Sequence, residues 1–470
     1  MLPSLGTVKM KTQYSSYFLT AMTFDYDLFV IGAGPAGLAA AKKAASFGVR
    51  VAIAEQEALG GTCVNRGCVP KKFIVHAADF AFQNQMAHSY GWSECQRNFD
   101  WTHFIHSVHQ QIESINYSYF EQVQKAGIDL IRGHATFIDA RTINIDGRKF
   151  TADKVLIAVG ARPMQPSIPG IEYSITSREM FNLPYLPERL AIVGGGYIGV
   201  EFASMMNAFG CEVTVVDTDD TILSGFDDDI RSSVQQSLKK RGIKFFTSST
   251  AEEIKHGGEE GLLLTIAGNS PVTIAADTIL VATGRIPNTK NLGLENAGVV
   301  VGDKGEIQVD EDNCTAQENI FAVGDCTDRL QLTPVAKAEG VSFANIVFGK
   351  KSQKLNYDYV PSAVFSRPEA ASVGMTEAKA REKFGESVKI YCDRFQPLFF
   401  KLGNQDEQAM LKLVVEGKSE QILGAHMVGE NAADIIQCLA VAIAKGITKQ
   451  DLDDTIGIHP TTAEEFLTLN

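Results

Sequence analysis

The stretch LGGTCVNRGCVP, Leu59 to Pro70, sets Cys63 and Cys68 close together behind two glycines and ahead of a proline. Two thiols so near one another can form a structural staple, supply part of a metal site, or cycle between dithiol and disulfide. Zinc needs about four ligands at suitable spacing, and no second cysteine pair or histidine pair stands nearby. Eight cysteines in 470 residues are too few for a disulfide scaffold, and a purely structural disulfide is unexpected in a reducing compartment. Redox cycling is the chemistry left. In a regular helix, residues at this spacing are displaced by about 7.5 Å along the axis, beyond the usual Cα separation of a disulfide. The Cys63 to Cys68 loop is therefore expected to be irregular, which Gly67 permits. Pro70 suits the first turn of a following helix, so Cys68 should lie near a helix N-terminus, where the dipole and Lys71 favour a thiolate. Near the other end of the chain, HPTTAEEF places His459 shortly before Glu464. Alone, His459 would read as a solvated loop histidine. Thiol–disulfide exchange, however, needs one thiolate to attack and a proton for the thiol that leaves, and a histidine held by a carboxylate suits both.

The elements that must position these groups follow a pattern that occurs twice. In YDLFVIGAGPAGLAAAKKAASFGVRVAIAE an apolar strand runs into Gly32, Gly34 and Gly37, then an alanine-rich helix, then a strand ending at Glu55. This is a βαβ unit around a phosphate turn. Gly32 allows the tight turn, Gly34 lets the backbone approach a pyrophosphate, Gly37 lets helix meet strand, and Glu55 is placed to accept from a ribose hydroxyl. RLAIVGGGYIGVEFASMMNAFGCEVTVVD repeats the plan with Gly194, Gly196 and Gly199, and with Asp217 in the place of Glu55. Two dinucleotide sites on one chain that also carries a redox pair are most economically a tightly held flavin dinucleotide (FAD) in the first and an exchanging nicotinamide in the second. The phrases KVLIAVGARP and TILVATGRIPN bracket the second unit, as if it were inserted into the first. IFAVGDCT ends a buried strand at Asp325, well placed for a cofactor's ribitol or phosphate.

With 45% hydrophobic and 21% charged residues, the chain is too long for one core. The fold class expected is α/β, two Rossmann-like dinucleotide-binding domains plus a C-terminal α+β domain. The boundaries read as a tail over 1–24, an FAD-binding domain over 25–157 and 285–350, a nicotinamide domain over 158–284, and a third domain over 351–470 whose strands, such as AMLKLVVEG and QILGAHMVG, alternate. The first 24 residues carry no periodic pattern and hold further methionines at Met10 and Met22, so they read as a loose tail or a misassigned start. No apolar run reaches the roughly 18 residues a spanning helix needs, which points to the cytoplasm. A net charge of −13 argues against nucleic acid as partner.

GGTCVNRGCVPKK, the two glycine motifs, ATGRIPNT, AVGD and IGIHPTTAEEF together resemble the flavin-dependent pyridine nucleotide-disulfide oxidoreductases over nearly the whole chain. FDDDIR, LTPV and FANIVFG are most similar to the plant and cyanobacterial branch that reduces glutathione disulfide. The branches that act on lipoamide or mercuric ion usually carry Ser at the position of Lys71, and remain the alternatives, with a reductase of another small disulfide; a non-catalytic flavoprotein would be expected to lack a cysteine or the histidine. The resemblance implies that NAD(P)H reduces the flavin and the flavin reduces Cys63–Cys68. It implies that Cys63 attacks the substrate while Cys68 lies against the flavin as the charge-transfer thiolate, and that Lys71 pairs with Glu201 beside the flavin. Tyr197 would gate the nicotinamide pocket, and Thr62 and Arg285, from the same motifs, join the cofactor residues. His459, oriented by Glu464, would be the acid–base catalyst supplied by the partner subunit, which implies a homodimer and makes 351–470 its dimerisation domain.

Departures from that branch bear on substrate and cofactor. Glutathione disulfide carries four carboxylates, and two arginines found in animal members are replaced here by Lys42 and Val341; Lys42 keeps the charge without bidentate geometry, and Lys337 or Lys43 can compensate. Tyr119 matches the tyrosine between the two halves of the substrate. Thr218 and Ser224 stand where NADPH-using members place arginines, and no Lys or Arg occurs between Glu212 and Asp229. Asp217, with Asp219 and Asp220, would face a 2′-phosphate with like charge, so NADH is expected over NADPH. Cys211, Cys314, Cys326, Cys392 and Cys438 read as small buried hydrophobes. Cys95, where some members have a disulfide across the dimer axis, is expected to be unbridged.

Overall fold

The strand Tyr26–Ile31 is buried over its last four residues, as an apolar run with neighbours on both edges must be. Leu28 pairs with Val51 of the parallel strand Val51–Glu55 on one side and with Lys154 of Arg148–Ile157 on the other. Asp129–Arg132 and Ile320–Ala322 extend this parallel sheet at its two sides, while Arg148–Ile157 also continues into an antiparallel flap with Thr142–Ile145 and Ala135–Phe137. Helices Pro35–Ala45 and Thr333–Val347 cross at Gly340, where any side chain would collide with the carbonyl of Ala36. The computed structural model describes residues 23–93, 99–268, 271–351, 354–403 and 406–470. Residues 1–22, most of the expected tail, and Cys95 lie outside the described residues.

A second parallel sheet is centred on Arg189–Val193, flanked by Glu212–Val216 and Thr278–Val281, with Lys244–Phe246 and Ile175–Thr176 outermost. A three-stranded antiparallel layer, Ser249–His256, Leu262–Gly268 and Val272–Ala276, accompanies it. The chain passes from the first sheet to the second through Ala161–Pro163 and returns through Arg285–Pro287, and these two short strands pair antiparallel. Both connections therefore run side by side.

The C-terminal sheet is antiparallel, in the order Ser362–Val364, Ala370–Gly374, Ile422–Val428, Ala409–Glu416, Val388–Phe395. Its strands Ala409–Glu416 and Ile422–Val428 do not alternate as expected but are buried at nearly every residue. The reason is a second cover: helix Ala432–Ile443 lies on one face, and helix Asp228–Lys240 of the second unit approaches the same strands. Among the described residues no helix is long and apolar enough to cross a membrane.

Candidate active site

Cys63 lies in the short helix Gly61–Arg66 and Cys68 opens the long helix Cys68–Ala87. The irregularity expected between them is confined to Gly67, at φ −153° and ψ −117°, where an added Cβ would meet the Thr62 carbonyl at 2.9 Å. Both cysteines are thiols here. Cys68 Sγ lies 3.5 Å from Thr333 Oγ1. Its pKa is pulled down from the ordinary 9.0 to about 6, chiefly by a hydrogen bond from the Cys63 thiol; Thr333 and the Lys71 ammonium add to this, and burial opposes it. Cys63 is pushed up strongly by giving that hydrogen bond and by burial. The pair is therefore polarised, with the thiolate favoured at Cys68 and the thiol at Cys63.

Lys71, one turn along the same helix, reaches Glu201 Oε1 at 2.8 Å. Glu201 is 3% exposed, and the same oxygen accepts the Phe365 N–H at 2.8 Å. Glu201 shares helix Tyr197–Ala208 with Tyr197 at its start, so one helical face carries both. Arg285 Nη1 lies 2.7 Å from Asp325 Oδ2 and 3.3 Å from Gln331 Oε1.

The two glycine turns are built alike. Gly32 has φ +104°, and an added Cβ would stand 2.5 Å from the Ala158 carbonyl; Gly194 has φ +113°. Gly37 and Gly199 each lie so close to the carbonyl of the turn's first glycine that no side chain fits. Glu55 accepts the Ala33 N–H on one oxygen and the Glu57 N–H on the other, both at 2.8 Å. Asp217 does the same, accepting the Gly195 N–H on one oxygen and the Asp219 N–H, at 2.8 Å, on the other. Helices Pro35–Ala45 and Tyr197–Ala208 both begin at a glycine, Gly34 and Gly196, with no side chain capping their first turn. Free N–H groups at two helix N-termini, an acid at each strand end and room at Gly196 for an anion suit pyrophosphate and ribose. In the first site Gly61 crowds Gly34, a Cβ on Gly61 lying 2.8 Å from the Gly34 Cα, which brings Thr62 and the cysteine helix to the same turn.

Above the second turn opens a cleft of 490 Å³ lined by Gly194, Gly196, Tyr197, Asp217, Thr218 and Arg285 among others. Ser224 and Thr218 are exposed. The next cation in sequence, Arg231, is committed to the carbonyls of Ile222 and Thr221 and to Asp220 and Asp228. Among the described residues Arg285 is the only cation lining the cleft, and it is paired with Asp325.

Lys42 Nζ donates to Gln122 Oε1 at 2.9 Å and sits 5.7 Å above the Tyr119 ring. Lys337, one turn beyond Thr333, repels Lys42, whose pKa falls through burial and that repulsion. Lys337 also acts on Cys63, and Cys63 in turn on Tyr119, so these four residues share one region. Lys43 does not join them; it lies 4.8 Å above the Phe47 ring. His459 Nδ1 is 3.0 Å from Glu464 Oε1, with its side chain 83% exposed, and among the described residues no contact joins it to Cys63 or Cys68. Two of the other cysteines, Cys211 and Cys326, are buried, their thiols pushed up to about 12 by burial. Cys314 is half-buried, and Cys392 and Cys438 are exposed, against expectation: Cys392 stands on the sheet's edge strand and Cys438 on the outer face of its helix. The sequence reading also passed over Thr333, which touches Cys68, and Glu339, 1% exposed, whose carboxylate holds the Gly324 N–H at 2.6 Å beside Asp325. Thr333 lies within LTPV, a phrase with no chemistry of its own in the sequence.

The family profile described as pyridine nucleotide-disulphide oxidoreductase matches residues 26–340, and the dimerisation domain of the same description matches residues 360–470. The chain is 49% identical to a glutathione reductase of Nostoc sp. over 95% of its own length and all of that protein's. It is 42% identical to a glutathione reductase of Burkholderia cepacia, over 95% and 98% of the two chains. It is 40% identical to the chloroplastic/mitochondrial glutathione reductase of Pisum sativum, over 96% and 83%.

Proposed function

This chain belongs to the pyridine nucleotide-disulphide oxidoreductase family, and within it we propose that Cys63 and Cys68 are the redox pair, with NADH as the electron donor. The protein is a flavin-dependent disulfide reductase that reduces glutathione disulfide, and it works as a homodimer. We read residues 25–157 and 285–350 as the flavin domain, 158–284 as the nicotinamide domain and 351–470 as the dimerisation domain; the side-by-side connections at Ala161–Pro163 and Arg285–Pro287 support that division.

The observation that carries the assignment is the asymmetry of the two sulfurs. Bound FAD supplies the passage of electrons from the nicotinamide to the cysteine pair. Glu55, Gly32, Gly34, Gly37, Thr62 and Asp325 would hold it, and Lys71 and Glu201 lie on the Cys68 side. Cys68 rests as the thiolate, while Cys63, a thiol, must lose its proton before it attacks a substrate sulfur. His459 is the base that takes that proton and later returns it to the leaving thiol; its exposure and the bare apolar neighbours Ile456 and Ile458, 96% and 78% exposed, fit a loop presented to the other subunit. Lys42, Lys337 and Tyr119 line the approach to Cys63, and the two lysines offer cations to the substrate's carboxylates.

For the nicotinamide, Gly194, Gly196 and Gly199 form the phosphate turn, Tyr197 the gate, and Asp217 the ribose acceptor. Each Asp217 oxygen already holds one backbone N–H and has a second lone pair for a ribose hydroxyl. A 2′-phosphate would meet that fixed carboxylate with no cation at Thr218 or Ser224, and like charges so placed cost several kcal/mol in a partly desolvated site. The test is kcat/KM with NADH and NADPH at the same salt. The expected result is a preference for NADH of at least about tenfold, moved toward NADPH by Thr218→Arg with Ser224→Arg. Asp217 stays in that variant, because removing it would also strip the Gly195 N–H of its acceptor. A wild-type preference for NADPH overturns the reading of the pocket.

A further inference from the structure

Lys412 lies mid-strand in Ala409–Glu416 and is 1% exposed, an expensive place for an ammonium unless it is fully paired. Its Nζ meets Asp227 Oδ1 at 2.8 Å, Asp229 Oδ2 at 2.7 Å and Glu377 Oε2 at 2.8 Å. Arg394 on Asp229 at 2.5 Å and Arg381 on Glu377 at 2.8 Å bring the six charges to balance. Burial would raise the three carboxylates, yet all sit below their ordinary range: Asp227 through His426, Lys412 and the Glu377 N–H, Asp229 through Lys412 and Arg394, and Glu377 through Lys412 and Arg381. His426 is wholly buried beside them, with Nε2 on the Met375 carbonyl at 3.0 Å and 3.9 Å from Asp227 Oδ2; burial pulls its pKa down and the Asp227 charge opposes that.

Asp227 belongs to the second unit and Lys412 to the C-terminal sheet, so the cluster joins the two. Asp227 also caps helix Asp228–Lys240 through the Asp229 N–H and accepts the Glu377 N–H at 2.9 Å. From Asp227 the backbone leads back to the cleft in two hydrogen bonds: Phe226 N–H to the Leu223 carbonyl at 3.1 Å, and Leu223 N–H to the Gly195 carbonyl at 2.8 Å. Leu223 is buried at φ +57°, a conformation a leucine keeps only when its surroundings impose it. Gly195 is the residue whose N–H is held by Asp217. The far end of helix Asp228–Lys240 is pinned as well, Lys240 to Asp406 at 2.7 Å and Arg241 to Glu407 at 3.0 Å.

We infer that Lys412 is a positioning residue for the nicotinamide nucleotide: from the C-terminal sheet it anchors Asp227, and through Leu223 it holds the 217–227 loop and the glycine turn in the shape that receives ribose and pyrophosphate. This rests on the reading of the 490 Å³ cleft as the nicotinamide site. A clamp of this kind contributes through preorganisation, so its loss appears in nucleotide affinity and not in the disulfide half of the reaction.

The test uses the FAD-loaded dimer of Lys412→Met and of Asp227→Asn, the second because asparagine still caps the helix and folds even where the buried carboxylates left by the first do not. Calorimetric Kd values for NAD⁺ and NADP⁺ are measured beside KM for the reduced nucleotide, KM for glutathione disulfide, kcat and Tm. The expected result is a Kd and nucleotide KM raised by roughly fivefold or more, with kcat at saturating nucleotide and KM for glutathione disulfide within about twofold. A role confined to stability lowers Tm and leaves Kd unchanged, and a wild-type Kd in Asp227→Asn overturns the proposal. Gly196→Leu, which fills the open space at the turn, separates the premise from the clamp. If that variant binds nucleotide normally, the cleft reading falls and the clamp with it; if it loses binding while the Asp227 variant keeps it, the clamp alone falls.

Discussion

Replacing Lys71 with methionine removes the only cation within ion-pairing distance of Glu201 among the described residues, and the consequences can be worked from two contacts. The carboxylate is 3% exposed and keeps only the Phe365 N–H at 2.8 Å once the ammonium at 2.8 Å is gone. Breaking a buried pair by removing one partner costs about 3–5 kcal/mol; Lys71 is itself 17% exposed, so water can follow the deletion and the lower end, about 3 kcal/mol, applies. In a chain of this length that is a fall of about 3 °C in Tm. The double variant Lys71→Met with Glu201→Gln removes both charges, keeps an acceptor for Phe365, and should recover most of that loss. The same cycle reads out at Cys68, where Lys71 favours the thiolate and Glu201 opposes it. Cys68, depressed to about 6, stays ionised as pH falls to that value; Lys71→Met moves the loss of the thiolate to higher pH by about one unit, and the double variant moves it back. Scanning calorimetry and a pH titration of the long-wavelength absorbance of the FAD-loaded dimer, with Cys63 and Cys68 kept in the dithiol form, give the two measurements. A single variant with wild-type Tm and titration, or a double variant no better than the single, would refute the coupling of Lys71 to Glu201 and Cys68.

Cys63→Ser should abolish disulfide reduction and leave the Cys68 absorbance, since a serine hydroxyl still donates to that thiolate; wild-type turnover would overturn the role given to Cys63 and the redox pair with it. Mixing Cys63→Ser with His459→Ala under subunit exchange should restore about a quarter of full activity, because random pairing leaves one intact site in each hybrid; no recovery despite proven exchange would overturn the sharing of the site between subunits.

What was legible in the sequence was mostly local. A glycine turn, the strand before it and the acid at the end of the next strand lie within one βαβ unit, so residue type and order were enough to pair Glu55 with the first turn and Asp217 with the second. Lys71 and Glu201, far apart in sequence, were paired only through resemblance, and the ion pair at 2.8 Å now gives that pairing a physical content. The burial of Ala409–Glu416 was not legible: a strand reads as half-exposed when its second cover comes from another part of the chain, and here helix Asp228–Lys240 supplies it. Lys412 escaped for the same reason, since a lysine in a strand looks like a solvated face until three distant carboxylates close on it. Cys392 and Cys438 failed in the opposite sense. Their small apolar character says nothing of which side of an edge strand or an outer helix they occupy.

Asp217 shows how a correctly placed residue can still be read too simply. From its position at a strand end it looked like a free carboxylate aimed at a ribose. In the fold both of its oxygens are also acceptors for the backbone of its own pocket, as both oxygens of Glu55 are in the first site. Its charge is therefore part of the wall, fixed in direction by the Gly195 and Asp219 N–H groups, and it cannot swing aside to admit a phosphate. Two consequences follow from that one geometry. The repulsion toward a 2′-phosphate is not relieved by side-chain motion, which strengthens the case for NADH. And deleting the acid would take from the Gly195 N–H its acceptor in the turn proposed to receive either nucleotide, so the pocket reading predicts that selectivity is altered by adding cations at Thr218 and Ser224, where the surface is open, and not by subtracting the aspartate that shapes it.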